Sequence, residues 1–184
     1  DALGRAGHDA HLLTYARGSG EKRGAFTHHR SRDLPGRDDF RSGPSLRKVA
    51  ADALLAMDVA RLVRELSPDV VVAHHVEAAA ACLLAGARPL WFFAHTSLTH
   101  ELPTYGAAST ARLAAKAGGA LDAFLARRAD RVLAISPTLA DELRATRPDT
   151  HFVPTPWSVA PAITPAERLA ARRLFALPDD AEVI

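Results

Sequence analysis

Apolar residues recur along this chain in two alternating rhythms. Between residues 45 and 66 they fall at Leu46, Val49, Ala50, Ala53, Leu54, Met57, Ala60, Val63 and Leu66. This three-to-four spacing predicts a helix with an apolar stripe, ended by Pro68. Asp69-Val70-Val71-Val72-Ala73 follows, a short run apolar at successive positions, as expected of an inner parallel strand covered by helices. The same alternation then continues. Residues 77–84 predict a helix closed by Gly86, residues 90–94 a strand, residues 107–128 a long helix interrupted at Gly118-Gly119, and residues 131–135 another strand. Ser136 followed by Pro137 reads as an N-cap and a first helical residue. Residues 9–16 have the length and apolar content of a buried strand, and residues 151–153 those of a short final one. The pattern predicts a doubly wound α/β fold: a mostly parallel sheet, helices on both faces, right-handed crossovers.

The two ends carry the pattern too. Ala2 to Ala6 reads as the last turn of a helix, with Gly7 in the left-handed cap position. Residues 164–177 form an amphipathic, arginine-rich helix, and Ala181-Glu182-Val183-Ile184 reads as the start of a strand. Both ends therefore predict chain continuing beyond them.

Composition narrows the class. With 184 residues, 48% hydrophobic and 24% charged, the chain has the make-up of an ordinary globular protein. Its longest apolar run, residues 78–87, stops at Arg88 and Pro89, short of the roughly 18 residues a spanning helix needs. The lone cysteine, Cys82, has no partner for a disulfide, which fits a reducing compartment, and the cytoplasm is the expected location. A net charge of +2 does not call for a nucleic-acid partner. Residues 17–48 hold nine Lys or Arg against four acids. That segment is either a solvated loop or an anion or lipid-headgroup contact at the inner face of a membrane. Leu113, Ala117, Leu121, Phe124 and Leu125 share one face of the long helix, which is either core or a second element of such a peripheral contact.

Ligands of open α/β sheets bind outside the carboxyl ends of the strands. The residues there are Arg17, His74 and His75, His95 and Thr96, Ser136, and Thr155. Histidine titrates near neutrality and exchanges protons or hydrogen bonds with a hydroxyl or phosphate. The segment His95-Thr96-Ser97-Leu98-Thr99-His100-Glu101-Leu102-Pro103-Thr104-Tyr105 adds hydroxyls, a carboxylate and an aromatic ring, a composition that suits carbohydrate recognition as well as a plain polar surface. His74, His75, Glu77, His95 and His100 match no zinc-ligand spacing, so no metal is predicted. No Gly-x-Ser-x-Gly elbow is present, and Cys82 falls within a helix rather than at its start. Hydrolase chemistry by these routes is not expected.

Three segments carry a resemblance. Leu3-Gly4-Arg5-Ala6-Gly7-His8-Asp9-Ala10-His11-Leu12-Leu13-Thr14, Ser67-Pro68-Asp69-Val70-Val71-Val72-Ala73-His74 and Ala129-Asp130-Arg131-Val132-Leu133-Ala134-Ile135-Ser136-Pro137-Thr138-Leu139-Ala140-Asp141-Glu142-Leu143 resemble, in order and spacing, segments of bacterial family-four glycosyltransferases of the GT-B architecture. The resemblance implies a Rossmann-like acceptor-binding domain over residues 1–160 that lacks its first strand. Residues 161–184 are then a linker helix and the start of a missing donor-binding domain, and the fragment alone is inactive. It further implies a hexosyltransferase type of reaction from a nucleotide-sugar donor to a sugar, lipid or other hydroxylated acceptor, with retention and with neither cofactor nor metal. His95 becomes the catalytic residue beside the transferring sugar. Glu101 and Tyr105 shape the acceptor pocket, His74 and His75 line its floor, and Thr96 and Ser136 complete the acceptor-binding set. The sequence after the last strand, Val153-Pro154-Thr155-Pro156-Trp157-Ser158-Val159, departs from the family's Asn-Gly turn. Two other readings stay open: a sugar-nucleotide epimerase of the same two-domain shape, and a non-catalytic α/β module that binds a ligand in the histidine-bearing crevice.

Overall fold

Short strands and longer helices alternate through a computed structural model that describes residues 2–18, 24–36, 45–154 and 163–178. Asp1, Thr155, residues 181–184, the segment 155–159 and the stretches 19–23 and 37–44 of the basic segment lie outside the described residues. The chain divides into two compact units, Asp1–Pro154 and Thr155–Ile184.

In the first unit, helix α1 (Ala2–Arg5) ends at Gly7, whose φ of +89° is the left-handed cap that the sequence predicts. Strand β1 (His11–Thr14) pairs in parallel with β2 (Thr27–Arg30). Thr27-His28-His29-Arg30 has no aliphatic residue and sits inside the basic segment, so hydrophobic patterning reads it as loop; backbone pairing makes it a strand.

Helix α2 (Leu46–Leu66) opens at Ser45, whose side chain accepts from the Lys48 amide at 3.1 Å. Its buried face differs from the stripe expected. Ala51, Leu55, Ala56, Val59 and Leu62 enter the core, whereas Leu46, Val49, Met57 and Leu66 are exposed. Alanine, leucine and valine occur on every side of this helix, so spacing alone does not choose the inward face.

Strands β3 (Val71–His74), β4 (Leu90–Ala94), β5 (Arg131–Ala134) and β6 (His151–Phe152) form a parallel sheet in that order. They are connected by helices α3 (His75–Leu84), α5 (Ala111–Arg128) and α6 (Pro137–Arg144). This is the α/β class predicted, with parallel strands and flanking helices; among the described residues the strands form a pair and a quartet rather than one ladder. Phe92, Leu90, Leu125 and Val132 are the largest fully buried side chains, each contributing about 1.5–3 kcal/mol by burial. Alanines at 73, 79, 81, 94, 126, 134 and 140 are buried in the same core and let helices lie close on the sheet. Asp130 fastens the amino-terminal edge, accepting from the Leu90 amide at 2.7 Å and from Arg88 at 2.8 Å. Those two bonds hold its carboxyl below the usual range.

The segment after β4 is not the open loop expected: it folds into a helical turn α4 (Leu98–Glu101) and two 3₁₀ turns, Leu102–Tyr105 and Ala108–Thr110. Nor do Gly118 and Gly119 interrupt α5, which runs unbroken past them. They permit close approach. A Cβ on Gly118 would stand 2.2 Å from the Leu98 carbonyl oxygen, so α4 can rest on α5 only because that atom is missing. Buried Asp122, one turn on, accepts weakly from the Thr99 amide and the Ser97 hydroxyl, both at 3.4 Å. The small, polar side of α5 therefore faces inward. Of the apolar set on the other side, Leu125 is core while Leu113, Leu121 and Phe124 are exposed, with Arg128 lying over the Phe124 ring at 5.4 Å.

In the second unit, α7 (Pro165–Leu174) begins with a full capping box between Thr164 and Glu167. This is the arginine-rich helix that the sequence predicts.

Candidate functional site

Parallel pairing brings the carboxyl ends of β3, β4 and β5 to one edge: His74 stands opposite Phe93, and Ala94 opposite Ala134. His95 follows β4 directly. Its Nε2 lies 3.0 Å from His74 Nδ1, a hydrogen bond whose donor depends on the tautomers. The His95 ring centroid is 5.2 Å from that of His74, 5.8 Å from that of His75 and 5.0 Å from that of Phe93. The predicted trio of histidines is thus one cluster.

The junction between β3 and α3 is abrupt. No loop separates them, and His75 takes a φ of +74° to turn the strand into the helix. For a residue with a Cβ this left-handed conformation costs on the order of 1–3 kcal/mol, and such conformations concentrate at functional sites. It sets His74 and His75 side by side while placing Glu77 in the first turn of α3, where the helix dipole favours a carboxylate.

Glu77 organises the charges. His75 Nδ1 lies 3.0 Å from its Oε2, and Lys48, reaching over from α2, donates to its Oε1. The bond to His75, and then Lys48, hold the Glu77 carboxyl down at about 2 against the opposing effect of burial. In return Glu77 raises His75 above the ordinary imidazole value. Burial lowers His74. Burial, and then the charges of His74 and His75, lower His95. Near neutrality the cluster therefore contains two uncharged rings beside one disposed to carry a proton.

Two further groups complete the edge. Tyr15, one residue past β1, donates to Asp52 on α2; burial, and then that bond, raise the tyrosine, and burial raises Asp52. On the other side, the Thr96 hydroxyl donates to Glu101 Oε2 and the Tyr105 hydroxyl to Oε1, both at 2.7 Å. These bonds hold Glu101 ionised, and the charge of His75 acts on it as well.

The structure thus joins His74, His75 and His95, and separately Thr96, Glu101 and Tyr105, two sets linked electrostatically through His75. His100 turns away to Glu142 on α6 at 3.1 Å. Ser136 stands at the same strand edge, but its Oγ is engaged as the α6 cap, accepting from the Leu139 amide at 3.2 Å. Arg17 folds onto the segment after β2, bonding to Asp33 and to the carbonyls of Leu34 and Gly36. Among the described residues no three His, Cys, Asp or Glu side chains gather as metal ligands. Lys48, Asp52 and Tyr15 escaped the sequence reading, and Glu77 entered it only as a metal ligand. The signal was present: Lys48 and Asp52 lie four apart on one helix, and Glu77 is three residues beyond the strand end.

Parallel strands flanked by helices, with an imidazole and carboxylate cluster at the carboxyl edge, make this a Rossmann-like α/β domain. Residues 1–174 match the profile of Glycosyltransferase Family 4, and the chain belongs to that family. No curated protein matches it. Family membership makes sugar transfer, with a sugar donor and an acceptor, its functional class. Among the described residues no helix is long and apolar enough to cross a membrane.

Proposed function

We propose that this chain is the acceptor-side domain of a two-domain hexosyltransferase, which moves a sugar from a nucleotide-sugar to a hydroxylated acceptor with retention and without a metal. The observation that carries the reading is the histidine cluster at the strand edge, with His95 Nε2 3.0 Å from His74 Nδ1 and His75 Nδ1 3.0 Å from Glu77 Oε2, where burial lowers His95 and His74 and Glu77 raises His75. In this reading an uncharged His95 accepts or donates a hydrogen bond at a hydroxyl of the transferring sugar or acceptor. His74 fixes its tautomer. His75, protonated, presents a positive edge to the oxygen on which charge develops. Thr96, Glu101 and Tyr105 form a polar wall suited to a sugar's ring of hydroxyls, and Ser136 closes the edge beyond β5. A second domain, entered through the segment that carries α7, grips the nucleotide.

The test is product formation by the full-length protein with a panel of nucleotide-sugars and hydroxylated acceptors, in the presence of a chelator. Nucleoside diphosphate released only when an acceptor is supplied, with retained anomeric configuration in the product, is the expected result. Ligand binding without turnover would favour a binding module, and epimerised nucleotide-sugar without transfer an epimerase; either would replace this reading.

A further inference from the structure

A groove of about 690 Å³ opens between the end of β2 and the outer side of α2, sharing no lining residue with the histidine cluster. Four guanidinium groups line it: Arg30 and Arg32 from the strand end, Arg61 and Arg64 from the helix. Arg61 and Arg64 share a side because residues three apart on a helix point the same way, while Arg32, two residues past Arg30 and beyond the end of β2, is held there by its contacts with Asp58. Only one carboxylate lines the groove, and it is already engaged. Asp58, 3% exposed, accepts from the Arg32 amide at 2.8 Å, and its two oxygens lie 3.3–3.4 Å from the Arg32 Nε. It also sits 3.6 Å from Arg61 Nε. Burial works against its charge, but these contacts hold it ionised. It fixes two guanidinium groups in place rather than cancelling four. Arg61 has a further partner in Glu65 at 2.8 Å, and Arg30 donates to the Ala16 carbonyl at 3.1 Å. Arg64 has no ion pair among the described residues. The groove is left with an excess of positive charge on planar, multi-donor groups, an arrangement that complements an oxyanion able to accept paired hydrogen bonds.

We propose that this groove is a binding site for a phosphate ester, separate from the sugar-transfer site. Half of the anion-recognising charge comes from the basic segment 17–48 and half from α2, which is why the sequence alone does not assemble it.

The test is titration calorimetry of the 184-residue chain with tripolyphosphate as probe, repeated for the double variant Arg30→Gln/Arg64→Gln. Neither residue partners Asp58, so the variant leaves the buried carboxylate satisfied, and an unchanged thermal melt verifies its fold. The expected result is saturable one-site binding, weakened roughly tenfold or more in the double variant and unchanged in Arg127→Gln/Arg128→Gln, which removes the same charge from α5. No saturable binding, or equal weakening by both double variants, would overturn the site. Sedimentation with phosphatidylcholine vesicles, with and without phosphatidylglycerol, identifies the source of the phosphate. Tripolyphosphate-competed pelleting with the anionic vesicles assigns a lipid headgroup, and tripolyphosphate binding without pelleting assigns a free phosphate ester. Pelleting that survives Arg30→Gln/Arg64→Gln counts against the groove.

Discussion

Replacing Glu77 by glutamine keeps the side chain's size and removes the charge that His75 and Lys48 share. In the folded chain this carboxyl is held at about 2 instead of 4.5, and each tenfold change in proton affinity corresponds to about 1.4 kcal/mol. The full displacement sets a ceiling near 3 kcal/mol. With a quarter of the side chain exposed, solvent screening brings the expected loss at neutral pH to about 1–2 kcal/mol. The sign follows from linkage. A carboxyl with a depressed folded value stabilises above its unfolded value, and that contribution is lost as pH falls from about 4.5 towards 2. His75 is raised in the fold, so its share is complete below about 6.5 and fades as pH climbs through its folded value. The His75–Glu77 pair is therefore worth most between those limits, and above them Lys48 alone continues to favour the carboxylate. Urea unfolding of wild type and Glu77→Gln from about pH 7 to about pH 3 measures this: the difference between the two should hold or grow down to about pH 6.5 and shrink only below about pH 4.5. NMR titration of the His75 ring should show its midpoint fall in the variant. A stability difference that is flat across the acid range, or an unmoved His75 midpoint, would refute the charge assignment within the cluster.

Gly118→Ala drives a methyl group to 2.2 Å from the Leu98 carbonyl oxygen and should cost about 1–3 kcal/mol; a melting temperature within a degree or so of wild type would deny that α4 rests on α5 there. Phe92→Ala empties the centre of the sheet, where the ring is 1% exposed, and should cost about 3–5 kcal/mol in denaturant unfolding. Burial pushes the Cys82 thiol up to about 11, so a thiol reagent at neutral pH should label it only as fast as the domain opens; rapid labelling of folded protein would place the thiol at the surface.

Much of the fold was legible because its strongest signals are periodic. The apolar runs at β3, β4 and β5, and the Ser136-Pro137 start of α6, are read directly from residue order. What escaped depends on partners distant in sequence. β2 carries Thr-His-His-Arg and becomes a strand only by pairing with β1. α2 carries alanine, leucine or valine on every side, so its packing partners select its inward face. Gly118 and Gly119 look like a helix break until α4 is seen lying on them. The same holds for the site. The strand-end rule brought His74, His75 and His95 together, but the charge on His75 is set by Glu77 and, through it, by Lys48 from a helix nearly thirty residues earlier. His100, chemically equivalent in the sequence, is drawn away to Glu142.

The central claim is that His95 acts at the sugar being transferred. The most direct measurement is turnover of the full-length protein carrying His95→Ala, with substrates saturating and the fold verified by its melt. A fall in kcat of about 100-fold or more is the result the account predicts; turnover within a few-fold of wild type would contradict it.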